Sequence, residues 1–211
     1  LLPVPAMGIK TISIGMMKPN KDDVIAWRGP ILDRALTQLL ADVHWGDLDY
    51  LLLDLPPGTG DIAMSLGQKV PTAEVLVVTT PQQAASEVAE RAGTMAALMN
   101  QKIIGVVENM SWLAFTAPDT GKEYRIDLFG SGGGQEAADA LSKRLGTEVP
   151  LLAQVPMDIE LRKGGDEGDP IVTAHPESPA AQAIVELAKN LDSRPRGLSG
   201  MHLGVSPTNN V

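Results

Sequence analysis

A chain of 211 residues, 44% of them apolar, has enough material for one globular domain with its own core; aromatic residues make up only 3%, so that core has to be aliphatic. A formal net charge of −9 argues against a general nucleic-acid binder, which carries a basic face. The absence of cysteine excludes disulfides and any thiolate-held zinc or iron–sulfur site within these residues, and no apolar run approaches the ~20 residues that span a bilayer.

The opening residues, Leu1 to Lys10, lack the basic region and apolar core of a signal peptide. They also lack an initiator methionine, so the sequence is expected to begin inside a longer protein, in a cytoplasmic setting. Ile9 to Gly15 alternates Ile with Thr and Ser, as a strand does. Gly29 to Val43 sets Ile31, Leu32, Ala35, Leu36, Leu39, Leu40 and Val43 at helical spacing, with Pro30 near the first turn. Leu51 to Asp54 is a continuous apolar run ending in an acid, the pattern of a central parallel strand covered on both faces. A short helix follows over Gly60 to Lys69. Ala73 to Pro81 reads as a second buried strand, Gln83 to Asn100 as a long helix, and Lys102 to Met110 as a third buried strand. Gly133 to Gly146 reads as a helix ending at a C-terminal glycine, and Val149 to Met157 as another strand. Ser178 caps a last helix that starts with Pro179. From Arg194 onward the chain is rich in Gly, Pro and Ser and reads as a flexible tail.

Alternating strands and helices with continuously apolar strands specify an α/β fold with a mainly parallel, doubly wound sheet. Leu51–Asp54, Val75–Thr79 and Ile103–Val107 are expected as adjacent buried strands. Such sheets bind ligands beyond the C-terminal ends of their strands. Those ends deliver Asp54, Thr79-Thr80-Pro81, Glu108-Asn109 and Pro156-Met157-Asp158.

Asp54 directly after an apolar strand is the Walker B arrangement, in which the carboxylate holds the Mg²⁺ shell at nucleotide phosphates. An ordinary turn-forming Asp is the alternative. Pro56-Pro57-Gly58-Thr59-Gly60-Asp61 favours the first reading, because two glycines let backbone N–H groups come close to an anion. The amide of Asn109 offers the donors and acceptor that match the edge of adenine, with a turn Asn as the alternative. Gly130 to Gln135, "GSGGGQ", opens a helix as a phosphate cradle does, but no Lys follows; a hinge and helix start is the better reading. Glu160 to Pro170, with mixed charges and three glycines, reads as a solvated loop. His44, His175 and His202 are too dispersed for a metal cluster, and Met95 and Met99 read as core.

Taken in order, "RGP" (Arg28 to Pro30), "LDYLLLDLPPGTGD", "TTPQ", "GVVENMS", "LFGSGGG" and "VPLLAQVPMD" resemble the Mrp/ApbC family of P-loop ATPases, relatives of MinD and ParA, from about Gly8 to about Leu191. The resemblance implies a MinD/ParA-like P-loop NTPase fold whose N-terminal βα unit precedes Leu1. It implies a partial NTPase domain over residues 1–192, followed by the tail 193–211. It also implies ATP and Mg²⁺ as cofactors, a cytoplasmic homodimer, and assembly and transfer of iron–sulfur clusters to client or scaffold proteins, with no nucleic-acid or membrane partner. Asp54 then matches the Walker B acid, holding Mg²⁺ through water. Gly58 to Asp61 match the switch loop, Asn109 the adenine-side Asn, and Pro156 to Asp158 the second loop near the base. Two departures stand out. The family's K-G-G-V-G-K-[ST] loop does not occur in the sequence, and C-P-x-C is absent after "ENMS". Ala114 to Gly121 stand there instead, read as an exposed loop with a turn at "APDTG". A truncated, non-catalytic interaction module and a MinD/ParA-like positioning ATPase are the competing functions.

Overall fold

The computed structural model describes residues 1–17, 29–55 and 60–194. In chain order these hold β1 (Val4–Ala6), β2 (Ile9–Thr11), a 3-10 turn at Ile14–Met17, α1 (Gly29–Ala41), α2 (Gly60–Lys69), β3 (Glu74–Thr79), α3 (Gln83–Leu98), β4 (Lys102–Thr116), β5 (Glu123–Ile126), α4 (Gly133–Leu145), β6 (Leu151–Met157), α5 (Ile159–Glu167), α6 (Ile171–Ala174) and α7 (Pro179–Asp192).

The aliphatic runs of β3 and β4 build the centre of the sheet as expected. β4 pairs in parallel with β3 on one side and with β6 on the other. Successive residues of a strand point to opposite faces, so a run without polar alternation needs cover on both. Val77, Ile103 and Val106 bury themselves against Ala89 and Ala96 of α3 and Ala137, Ala138 and Leu141 of α4. Val107 and Val155, with Leu76, face the other way onto Ile171 of α6 and Ala180 and Ala181 of α7. Alanines on the helices keep each layer close to the sheet, which suits a core short of aromatics.

The expected strand at Leu51–Asp54 does not form. Residues 50–55 are irregular, Leu52 is 89% exposed and Leu51 is 42% exposed. A central strand needs a hydrogen-bonded neighbour on each edge as well as cover on its faces. Among the described residues β3 pairs only with β4, and no strand pairs with this run. Apolar continuity signals the faces and says nothing of the edges. The strand expected over Ile9 to Gly15 is short, and it pairs antiparallel with β1 in a hairpin apart from the main sheet.

Glu160 to Pro170 is helical for most of its length, not a loop. Asp158 caps α5 by accepting from the Glu160 and Leu161 N–H groups at 2.8 and 3.3 Å. Arg162–Asp166 and Lys163–Glu160 add ion pairs one turn apart, and Gly168 at φ 80° ends the helix. α5 buries no residue, which is why it carries no apolar stripe to be read. Ala114 to Gly121 is likewise only half a loop. β4 continues through Thr116 and pairs antiparallel with β5, and the turn closes with Gly121 N–H donating to Ala117 C=O at 2.8 Å. Phe115 and Tyr124 stack across this arm, ring centroids 5.4 Å apart.

Candidate functional site at the ends of β4 and β6

The parallel ladder between β4 and β6 is interrupted where it leaves the core. Asn109 stands opposite Val155, and the next paired position is Leu113 with Met157, so β4 bulges between them. Met110 in the bulge has φ 56°. For a residue with a β-carbon this left-handed conformation costs about 1–2 kcal/mol. Two short bonds hold it: Met110 N–H donates to Asn109 Oδ1 at 2.9 Å, and Ser111 Oγ–H donates to Glu108 C=O at 2.8 Å.

Beside the bulge lies a cleft of about 510 Å³. Asn109, Met110 and Leu113 line it from β4, Phe129 from the loop before α4, and Pro156 through Ile159, Leu161 and Arg162 from the turn between β6 and α5. Three residues expected near the base, Asn109, Pro156 and Asp158, therefore share one cleft. Pro156 is buried and Asp158 half-buried. Asp158 Oδ1 is already engaged as the α5 cap, and the Arg162 guanidinium donates to Asp166 at 2.8 Å. Asn109 Oδ1 takes the Met110 N–H, which leaves its two N–H groups and a second lone pair for a ligand. Apolar walls with one free side-chain amide suit a flat, uncharged heterocycle better than an anion.

Glu108, which the sequence left without a role, does not line the cleft but directly precedes Asn109 on β4. It is 1% exposed, and both carboxylate oxygens are used: Oε2 accepts from Gly134 N–H at 2.6 Å, and Oε1 from Gln154 Nε2–H at 2.7 Å. An acid inside "GVVEN" was the available signal, because a buried carboxylate has to be matched by donors. This contact also explains "GSGGGQ". A Cβ on Gly133 would lie 2.3 Å from Pro81 O, and one on Gly134 would lie 2.6 Å from Glu108 Cβ. The glycines let α4 start hard against the chain leaving β3 and the middle of β4. The Glu108 carboxylate already fills the N-terminus of α4, so the stretch is a helix start, as expected, and not a phosphate cradle.

Asp54, expected on the phosphate side, does not line this cleft. Asp54 is exposed at the end of the irregular run 50–55. Arg28, Gly58 and the rest of Pro56–Thr59 lie outside the described residues. Asp61 falls in the first turn of α2, and its side chain also lies outside them. A single carboxylate suits Mg²⁺, which keeps several waters and takes one or two carboxylates besides the phosphates. Among the described residues no three His, Cys, Asp or Glu side chains are grouped to hold a metal ion, and no helix is long and apolar enough to cross a membrane.

Residues 1–192 match the family model for the NUBPL iron-transfer P-loop NTPase. The chain is 53% identical over 208 residues to the iron–sulfur cluster carrier protein of Mycobacterium leprae, covering 99% of this chain and 53% of that protein. It is 46% identical over 189 residues to the protein of that name from Deinococcus radiodurans, covering 90% and 50%. It thus spans about half the length of the relatives it matches. Among solved structures, the nucleotide-binding protein of Archaeoglobus fulgidus in complex with ADP superposes with a TM-score of 0.58 at 34% identity, covering 80% of this chain and 61% of that one. MinD of Pyrococcus horikoshii complexed with Mg-ADP gives 0.54 at 25%, covering 84% and 60%. The fold is that of the MinD/ParA-like P-loop NTPases.

Proposed function

We propose, from the premise that the chain belongs to the NUBPL iron-transfer P-loop NTPase family, that its cleft receives the adenine base of ATP and that Asp54 stands on the phosphate side of the same site. The observation that carries this reading is the convergence of Asn109, Pro156 and Asp158 on one cleft. Asn109 pairs with the edge of the base through its free amide. Pro156 gives a flat apolar wall. Asp158 works indirectly, fixing the turn into α5 by its cap. Mg²⁺, when bound, neutralises charge on the phosphates, and Asp54 would hold it through water. Gly58 and Asp61 would follow the phosphate state. The 211 residues contain no G-x-x-x-x-G-K-[ST], so the proposal gives this chain the base and metal sides and leaves the phosphate cradle to other residues.

We propose further that the whole protein is a homodimeric, cytoplasmic carrier that hands iron–sulfur clusters to client or scaffold proteins. The relatives named as carriers support it. With no cysteine here, the thiolates that usually hold such a cargo have to come from other residues.

Calorimetric titration with adenosine and with Mg-ATP tests the site. Both should bind weakly and alike, because most phosphate affinity comes from the cradle. Asn109→Ala should weaken both about tenfold, the scale of one hydrogen bond in a dry site. Submicromolar Mg-ATP binding, or binding indifferent to Asn109→Ala, would put the nucleotide elsewhere. A second reading, a non-catalytic interaction module, draws on the exposed Leu51, Leu52 and Leu55, and for it neither ligand gives heat. The positioning-ATPase reading has only the shared fold behind it.

A further inference from the structure

The residue immediately before Asn109 is tied on three sides. The Glu108 carboxylate takes Gly134 N–H from the first turn of α4 and the Gln154 amide from β6. Its carbonyl takes the Ser111 hydroxyl from the far leg of the bulge. Directly beyond it come the two residues that border the cleft, Asn109 and the left-handed Met110. A strained bulge persists only where its surroundings over-determine it. If Met110 relaxed to extended backbone, its N–H would turn away from Asn109 Oδ1, losing the bond that fixes the Asn109 side chain, and the register beyond the bulge would slip, turning the residues that follow to the other face of the sheet. The Asn109 amide would then lose its place at the cleft wall.

We infer that Glu108 is a positioning residue for the cleft: its buried carboxylate, clamped between α4 and β6, holds the β4 bulge in the form that keeps Asn109 at the cleft wall. The inference rests on the base-site reading for what Asn109 binds, but not for the clamp itself. The chemistry requires an acid. Both side-chain partners are donors, and each meets its own oxygen. A glutamine there keeps the size of the side chain but turns an NH₂ towards one of the two donors.

Amide hydrogen exchange on the ligand-free chain tests the clamp, and adenosine titration followed by amide NMR tests its effect on binding. Glu108→Gln is the main variant. Gln154→Ala is a milder one that keeps the Gly134 bond. Ser86→Ala is the control, since it removes a different bond at the start of α4, from Ser86 Oγ–H to Gly133 C=O at 2.8 Å. Glu108→Gln should speed exchange at Met110 and Ser111 about tenfold beyond the control and weaken adenosine by a similar factor. Gln154→Ala should shift both the same way by less, and it decides the matter if Glu108→Gln does not fold. Exchange at Met110 and Ser111 no faster in either variant than in Ser86→Ala would overturn the inference. If exchange responds but the wild-type chain shows no adenosine shifts at 109–113, the clamp stands and the base-site reading falls. If Asn109→Ala loses adenosine while Glu108→Gln binds it unchanged, the base site stands and the positioning role falls.

Discussion

Two acids in this chain are handled in opposite ways. Glu108 is buried and meets only neutral donors. Removing it would leave the buried Gly134 N–H unmatched, at about 1–3 kcal/mol, and would free the Gln154 amide. Asp33, on α1, stays at the surface. The hydroxyl of Ser65 and then the ammonium of Lys69, both on α2, hold its carboxyl below the usual carboxylate value. The Lys69 Nζ to Asp33 Oδ1 distance is 3.1 Å. A lowered pKa in the folded state means that stability is gained above the unfolded value. It is lost as pH falls through the folded one. Asp33→Asn should therefore lower stability around neutral pH and flatten the acid side of the profile below pH ~4, where the two proteins converge. Parallel acid limbs in urea unfolding of the two proteins would contradict this.

At the scale of elements, α5 is a helix held by its ends. Its interior carries Gly164 and Gly165, each unfavourable by roughly 0.5–1 kcal/mol relative to Ala, and against this it has only Leu161, partly buried on the core. The Asp158 cap is then decisive. Asp158→Ala should lower stability by about 1 kcal/mol, with the exchange of amides 160–167 rising first, while Asp158→Asn should restore most of the loss. Exchange in α5 indifferent to residue 158 would show that the helix is held by something else. The same element marks a limit of sequence reading. Its cap and ion pairs were in plain view, but helix detection relies on an apolar stripe, and α5 has none. The run at Leu51–Asp54 fails the opposite test: its apolarity is plain, but a strand exists only with a partner edge. β3, β4, β6 and α3 were legible from apolar spacing alone or nearly so, and α4 and α7 because a stop at Gly146 and a cap at Ser178 agreed with it. At the site, Asn109, Pro156 and Asp158 were legible because a parallel sheet gathers its strand ends. Glu108 was not, because its partners lie 26 and 46 residues away.

For the whole molecule, the ligand inventory bears on cargo. The chain has no cysteine and three histidines, and His44 and His175 belong to no metal-holding group among the described residues. The hairpin turn that replaces C-P-x-C closes on its own backbone through Gly121 and Ala117. Anaerobic reconstitution of the chain alone with iron and sulfide should thus leave no visible charge-transfer absorption after gel filtration. A stoichiometric cluster that stays with the chain would assign the carrier step to these residues.

The stacking of the Arg125 guanidinium 4.1 Å from the Trp112 ring has an optical consequence. The sequence holds three tryptophans, Trp27, Trp45 and Trp112, and Trp112 follows Asn109 by three positions on β4. With Trp27 and Trp45 replaced by Phe, all indole emission would come from one ring, next in sequence to the cleft-lining Leu113 and under a fixed cation. A cation over an indole face perturbs its excited state, so any rearrangement of the bulge that moves Trp112 relative to Arg125 changes the colour and yield of that emission. The protein thus carries its own fluorophore beside the clamp, readable in a stopped-flow instrument without a label.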